Sequence, residues 1–378
     1  MNPIVVQKYG GSSVKDLQAI RAVAQRVSDT VKSGHCVVVV VSAMGNTTNE
    51  LLELARKVSP TPGRRELDML VSVGERIAMT LLSMAVSELG HPARSFTGSQ
   101  SGIITDEQHS NARVVAVRPT RILEALERGD VAIVAGFQGV SRDREVTTLG
   151  RGGSDTTAVA LAAALNARWC EICSDVDGIY SADPRAVPDA IRLDTISLEE
   201  ALSMARNGAR VLHDEAVAYA HKSGIELLAS ATASNTPGTR IQVDPLPPRV
   251  AAIAADSNLE RYQSSDTPSL LASLQETGAP IRLADSTQVI VDTRNWPDRP
   301  RLNLPESAEC LGAIAMVAAV GSGVGSDLEV LEAGCRALNE AEFEVISFST
   351  TPESVRWLVP IDQCEPAQQA LHSALIST

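Results

Sequence analysis

The chain lacks any long apolar run. No window approaches about 18 uninterrupted apolar residues, so the sequence predicts no membrane-spanning helix. The opening MNPIVVQKYGG has neither the basic region nor the long apolar core of a secretion signal, and its short apolar run is of strand length. Cysteine is sparse: six in 378 residues do not make a disulfide framework and read as reduced thiols of a cytoplasmic enzyme. Positive charge is in deficit, with Lys+Arg 33 against Asp+Glu 46 and a net charge of −13. That balance argues against nucleic acid and anionic membranes as partners. Any phosphate must therefore meet a local group of cations and backbone N–H groups. Aromatics are only 3%, beside 44% hydrophobic and 21% charged residues, an ordinary globular composition. The length suits two domains, or at most three.

What is present alternates strand and helix, the pattern of a three-layer α/β fold with a mostly parallel sheet. Ile4–Gln7 reads as a short strand and Asp16–Lys32 as a helix. Val37–Val41 is five consecutive valines, a fully buried strand. Helical stretches follow at Thr48–Val58 and Arg64–Leu89, a Gly/Ser/Thr-rich loop at Thr97–Asn111, a helix near Pro119–Glu127 and a strand at Val131–Phe137. The Ala-rich helix Thr156–Ala167 and the strand Cys170–Ser174 come next. Asp244-Pro-Leu-Pro-Pro248 can continue neither a helix nor a central strand and reads as a linker. We therefore expect a first domain over 1–245 and a second over 246–378. In the second, short strands at Arg249–Ala254, Val289–Asp292, Ala315–Val320, Glu344–Ser349 and Val355–Pro360 alternate with helical pieces in β-α-β-β spacing. Trp296–Pro305 reads as irregular.

Three segments could carry chemistry. Lys8-Tyr-Gly-Gly-Ser-Ser13 follows a strand and precedes a helix; its glycines admit a ligand to the backbone, and the helix start offers N–H groups and a positive dipole end. It lacks the GxxxxGK[ST] spacing of the common phosphate loop. Gly150-Arg-Gly-Gly-Ser-Asp-Thr-Thr157 also opens a helix. Ser154 or Asp155 could simply cap that helix, but capping does not account for an arginine between glycines. The third, Ser174-Asp-Val-Asp-Gly-Ile-Tyr-Ser-Ala-Asp-Pro-Arg185, leaves the carboxyl end of a strand, where α/β sheets bind ligands.

These three segments are joined in order by SAMGNTTNELL (Ser42–Leu52), GER (Gly74–Arg76), FTGSQSGI (Phe96–Ile103), GFQGV (Gly136–Val140) and TTLGRGGSDTTA (Thr147–Ala158). The set closely resembles the aspartate kinases of the amino-acid kinase superfamily over Val5–Val243. The resemblance implies ATP with Mg²⁺ and aspartate as ligands. It assigns Lys8, Gly10, Gly11, Ser174, Asp175, Tyr180 and Arg185 to ATP, with Lys8 and Asp155 catalytic. To aspartate it assigns Thr48, Glu75, Arg151, Ser154 and Asp155. No metal cage of protein ligands is expected, the Mg²⁺ arriving with ATP.

The chain departs from that family in two places. Relatives commonly carry an arginine within the segment matching Val211-Leu-His-Asp-Glu-Ala216, and further arginines in the strand matching Leu227–Thr232; here stand Asp214, Glu215 and LLASATAS. Two other readings follow: a kinase of the same fold acting on another small carboxylate or phosphate acceptor, or a weakly active partner that regulates a full-length kinase. The C-terminal part resembles paired ACT regulatory domains, unequally. Ile314–Leu375 matches one unit well. The first, about 259–304, is short, its strand into a D-x-P-G effector turn is expected to be missing, and Ser265-Asp-Thr-Pro268 is a remnant. The expectation is an impaired effector pocket, insensitivity to lysine or threonine, and homodimers or larger homo-oligomers through ACT pairing. Cys170 and Cys173 point to opposite faces of a strand and cannot share a metal, and the six histidines show no ligand spacing.

Overall fold

The structure, a computed structural model, describes residues 2–234, 236–294, 296 and 303–376. Most of Trp296–Pro305 lies outside them. Two compact units form: Met1–Ile179, Arg192–Leu202 and Arg210–Pro245 make the first, and Tyr180–Ile191, Ser203–Ala209 and Leu246–Thr378 the second.

In chain order the first half runs β1 (Ile4–Tyr9), α1 (Leu17–Lys32), β2 (Cys36–Val41), α2 (Thr47–Val58), α3 (Arg64–Val71), α4 (Val73–Glu88), β3 (Ala93–Phe96), β4 (Ile103–Thr105), β5 (Val114–Val117), α5 (Thr120–Glu127), β6 (Val131–Ala135), β7 (Gln138–Val140) and β8 (Val146–Thr148). Then come α6 (Gly153–Ala164), β9 (Cys170–Ser174), β10 (Ile179–Tyr180), β11 (Arg192–Leu193), β12 (Thr195–Ser197), α7 (Leu198–Arg206), α8 (Asp214–Ser223), β13 (Leu227–Ala231) and β14 (Thr239–Gln242).

Eight strands form the main sheet in the order β12-β14-β13-β9-β1-β2-β6-β3. All neighbours described are parallel except β13 with β14. The Val37–Val41 run is fully buried, as a central parallel strand covered on both faces must be. Ile20, Val23, Ala24 and Val27 of α1 and Ala78, Met79, Leu82 and Val86 of α4 pack under one face; α6, all but three of whose residues are buried, covers the other. The stretch Arg64–Glu88 is apolar and long enough to cross a membrane, but it breaks at Ser72 between α3 and α4, and the inner face of α4 fills this core. A second sheet, β5-β4-β7-β8, was not visible in the sequence: its strands are three or four residues long, too short to show an alternation.

The second unit contains β15 (Ala252–Ser264), α9 (Thr267–Glu276), β16 (Ile281–Ala284), β17 (Gln288–Asp292), β18 (Ala308–Val320), α10 (Leu328–Glu340), β19 (Ser347–Thr351), β20 (Ser354–Pro360) and α11 (Cys364–Leu375). These are two β-α-β-β halves and a closing helix, in one antiparallel sheet ordered β16-β17-β15-β18-β20-β19. The arrangement is ACT-like. One expectation is corrected here. A strand into the Ser265–Pro268 turn is present: β15 runs to Ser264, and Asp266 caps α9 by accepting from the Ser269 N–H. The sequence hid it because the polar Asp256-Ser-Asn258 interrupts the apolar pattern where the register shifts between Asp256 and Leu259.

Candidate active site

Parallel strands deliver their carboxyl ends to one edge of the sheet, and Lys8 and Ser174 stand at those ends, with Gly10 and Gly11 just beyond the first. β1 ends at Lys8 and Tyr9, followed by Gly10 and a single turn of 3-10 helix at Gly11–Val14. Gly10 N–H donates to the Cys173 carbonyl of β9 (3.4 Å), and Gly11 carbonyl accepts from Gly45 N–H beyond β2 (3.1 Å). A Cβ on Gly11 would stand 3.0 Å from Ala43 O and 3.2 Å from Gly45 O, so bulk is excluded there. At Gly10 a Cβ would stand 3.5 Å from Lys8 Nζ. The missing side chain leaves the approach to that ammonium open.

Lys8 Nζ lies 2.6 Å from Asp155 Oδ1, both side chains nearly buried at 12% and 13% exposure. Asp155 sits in the first turn of α6, where the helix dipole favours an acid. The residue before α6, Gly152, has φ +69°, and a Cβ on it would fall 2.1 Å from His213 Cγ; glycine is required on both counts. Ser154 is buried against Gly136, whose Cβ would come within 2.8 Å of Ser154 Oγ. Arg151 stands exposed at the mouth of this turn.

Glu75, in the first turn of α4, is 2% exposed. Its Oε1 accepts from the Ala43 N–H at 3.1 Å, while Oε2 has no hydrogen-bond partner among the described residues. Burial pushes this carboxyl up to about 7, against the lowering effect of backbone hydrogen bonds. Thr48 lies half-buried in the first turn of α2, just beyond the Ala43–Gly45 turn. Behind the loop before α6, the fully buried Asp68 of α3 accepts from His109 Nδ1 (2.7 Å), Ser110 N–H (3.0 Å) and Thr148 Oγ1 (2.6 Å). Asp68 and His109 were not singled out from sequence, because nothing in their spacing announces a contact between α3 and β8.

Ser174 ends β9, its carbonyl accepting from Thr232 N–H (2.8 Å), and Asp175 is exposed beside it. Tyr180 and Arg185 lie in the segment 180–191 that belongs to the second unit. Arg185 pairs there with Asp183 (2.6 Å). Asp214 and Glu215 occupy the first turn of α8, where acids complement the helix dipole. Cys170 and Cys173 are free and buried.

Lys8 and Asp155 bring the two glycine-rich turns together beside helix starts, with the exposed Arg151 in the second turn, an arrangement chemically suited to anionic groups. The sequence profile of the amino acid kinase family matches residues 3–228, the span that builds this edge. The aspartokinase of Mycolicibacterium smegmatis is 42% identical over 98% of this chain and 96% of its own length. Among solved structures, E. coli aspartokinase III in complex with aspartate and ADP (R-state) is similar with TM-score 0.85 at 26% identity, over 99% of this chain and 100% of that one. The same enzyme with lysine and aspartate (T-state) gives 0.76 at 25% identity, with the same coverage. The chain belongs to the amino acid kinase family and, within it, to the aspartokinases.

Proposed function

We propose that this chain catalyses ATP-dependent phosphorylation of the side-chain carboxylate of L-aspartate, giving 4-phospho-L-aspartate and ADP. The carrying observation is the Lys8–Asp155 pair (2.6 Å), which brings two glycine-rich turns, remote in sequence, to one point. The aspartokinase relatives support aspartate as acceptor. Within the first unit, Lys8, Gly10, Gly11, Ser174 and Asp175 take the nucleotide; Thr48, Glu75, Arg151, Ser154 and Asp155 take aspartate.

The chemistry is in-line displacement. A carboxylate oxygen forms a bond to the γ-phosphorus as the bond to the β,γ-bridging oxygen breaks, and that electron pair leaves with ADP. The acceptor is ionised at neutral pH, so no proton has to be removed. The burden falls on holding two anions together and screening their repulsion. Lys8 meets the transferred group through the space that Gly10 leaves open, and Asp155 fixes the ammonium there. Arg151 offers a planar fork to a carboxylate of aspartate. Oε2 of Glu75, without a hydrogen-bond partner among the described residues, suits the substrate ammonium, which would draw that carboxyl into its ionised form. Mg²⁺ bound with ATP would supply neutralisation of phosphate charge beside Lys8.

The same reading makes 1–245 the catalytic domain and 246–378 the regulatory one. It places the enzyme in the cytoplasm, at the first step of the aspartate-family route towards lysine and threonine or a branch diverted from it. Homodimers or larger homo-oligomers form through the ACT-like units. Insensitivity to lysine and threonine belongs to the same reading. The first half's effector turn supports it: Asp266 is engaged with its own helix and no glycine follows Pro268.

The test is ATP turnover by the purified chain with aspartate and a panel of small carboxylates, with hydroxylamine to trap acyl phosphate. Aspartyl hydroxamate formed only with aspartate supports the reading; turnover with another acceptor alone sinks it. Inhibition by added lysine or threonine would overturn the regulatory part.

A further inference from the structure

A polar cluster lies on the opposite face of the strands from Lys8, and phosphotransfer as proposed makes no use of it. Side chains alternate along a strand, so Lys8 faces α6 and Gln7 faces α1. Gln7 Nε2 donates to Glu171 Oε2 of β9 (2.8 Å) and Thr30 Oγ1 of α1 (3.1 Å). Glu171 Oε1, buried, also accepts from Ser230 Oγ of β13 (2.7 Å) and Arg26 Nη2 of α1 (2.6 Å). Arg26 Nη1 reaches past the end of β13 to the carbonyls of Ala231 (2.5 Å), Thr232 (3.2 Å) and Ser234 (3.2 Å).

A buried ion pair is a poor source of net stability, because desolvation offsets the attraction; holding a particular register is the use it serves better. Thr232 is the residue whose place is held. Its N–H donates to the Ser174 carbonyl (2.8 Å), and its Oγ1 shares a hydrogen bond with Ser13 Oγ (2.6 Å). One guanidinium on α1 thus secures the segment that ties the turn after Gly10 and Gly11 to the end of β9. The strand Leu227–Ala231 has no cation of its own, and Arg26 supplies the charge from the neighbouring helix.

We propose that Arg26 is the positioning residue for the nucleotide half of the site, acting through Thr232 on the Gly10–Ser13 turn and Ser174. The proposal rests on Gly10, Gly11 and Ser174 as nucleotide ligands. It predicts a selective effect: loss of Arg26 weakens ATP and leaves aspartate nearly untouched, since the aspartate residues hang on α2, α4 and α6.

The experiment compares R26M, R26K and T232V with the parent chain. ATP affinity is read by calorimetry with Mg²⁺ present, and both KM values from hydroxamate formation. R26M should raise Kd and KM for ATP by about 10-fold or more, with KM for aspartate within about twofold. R26K should recover part of the loss, and T232V, which cuts the Ser13 link without stranding a buried charge, should shift ATP alone. Equal rises in both KM values, or unchanged ATP binding in T232V, would overturn the proposal. If R26M does not fold, T232V decides. A parent chain that binds ATP yet forms no hydroxamate refutes the aspartate reading, while calorimetry still decides the role of Arg26. A parent chain that does not bind ATP refutes both.

Discussion

Lys8 Nζ and Asp155 Oδ1 stand 2.6 Å apart, joining the end of β1 to the first turn of α6. The pair gives the ammonium a fixed partner and, in the proposed reaction, a place where transferred charge develops. K8M should lower kcat by roughly 10²–10³-fold, the range for removing one preorganised electrostatic contact. K8R should not restore it, because a longer planar fork does not replace a point charge. Single-turnover quench measurements separate this loss from any change in ATP binding.

Gly10 and Gly152 predict opposite outcomes for the same substitution. At Gly10, φ is −72° and the nearest atom to an added Cβ is Lys8 Nζ at 3.5 Å. G10A should fold with unchanged Tm and bind ATP more weakly. G152A meets both a left-handed backbone and the His213 ring, and should lose stability by ~2 kcal/mol or more. Thermal melts beside ATP titrations of both variants check the contrast.

Glu75 gives a pH signature. Its carboxyl is pushed from 4.5 to about 7 by burial. A raised carboxyl pKa means the unfolded chain ionises first as pH rises. The group therefore costs stability progressively between about 4.5 and 7, and the full cost stands above that range. The free-ligand enzyme should gain up to ~3 kcal/mol from E75Q at about pH 8 and almost nothing at about pH 4. Denaturant titrations of parent and E75Q at both pH values measure the difference. The same variant should bind aspartate poorly, the usual conflict between stability and function at a built site.

Asp68 holds Ser110 and Thr148 next to the turn that carries Arg151, on the proposed aspartate side. D68A leaves the Ser110 N–H and Thr148 hydroxyl without their acceptor in a buried place, costing about 2–4 kcal/mol. Because Thr148 leads directly into Gly150 and Arg151, KM for aspartate should rise as well, with KM for ATP unchanged. D68N, which keeps an acceptor for both groups, should restore most of the stability.

Legibility in the sequence followed the range of the interactions. The five-valine strand, the glycine-rich helix starts and the Lys8 and Arg151 motifs are local patterns, and each could be read where it stands. The Glu171–Arg26 and Asp68–His109 contacts join residues that only the fold brings together. A charge inside the short buried strand Cys170–Ser174 was the available signal, since a buried carboxylate needs a partner. It did not say which one. The continuation of β15 beyond Ala254 to Ser264 was missed for a related reason, as its polar bulge interrupts the alternation that marks a strand.

The central claim is that the aspartate side-chain carboxylate attacks ATP directly. Its most direct test is oxygen-18 aspartate, labelled in that carboxylate, turned over with ATP and trapped by hydroxylamine. Attack of hydroxylamine at the acyl carbon expels phosphate carrying the bridging oxygen. Phosphorus NMR should then show inorganic phosphate bearing a single labelled oxygen. Unlabelled phosphate formed at the rate of ATP consumption would contradict the claim.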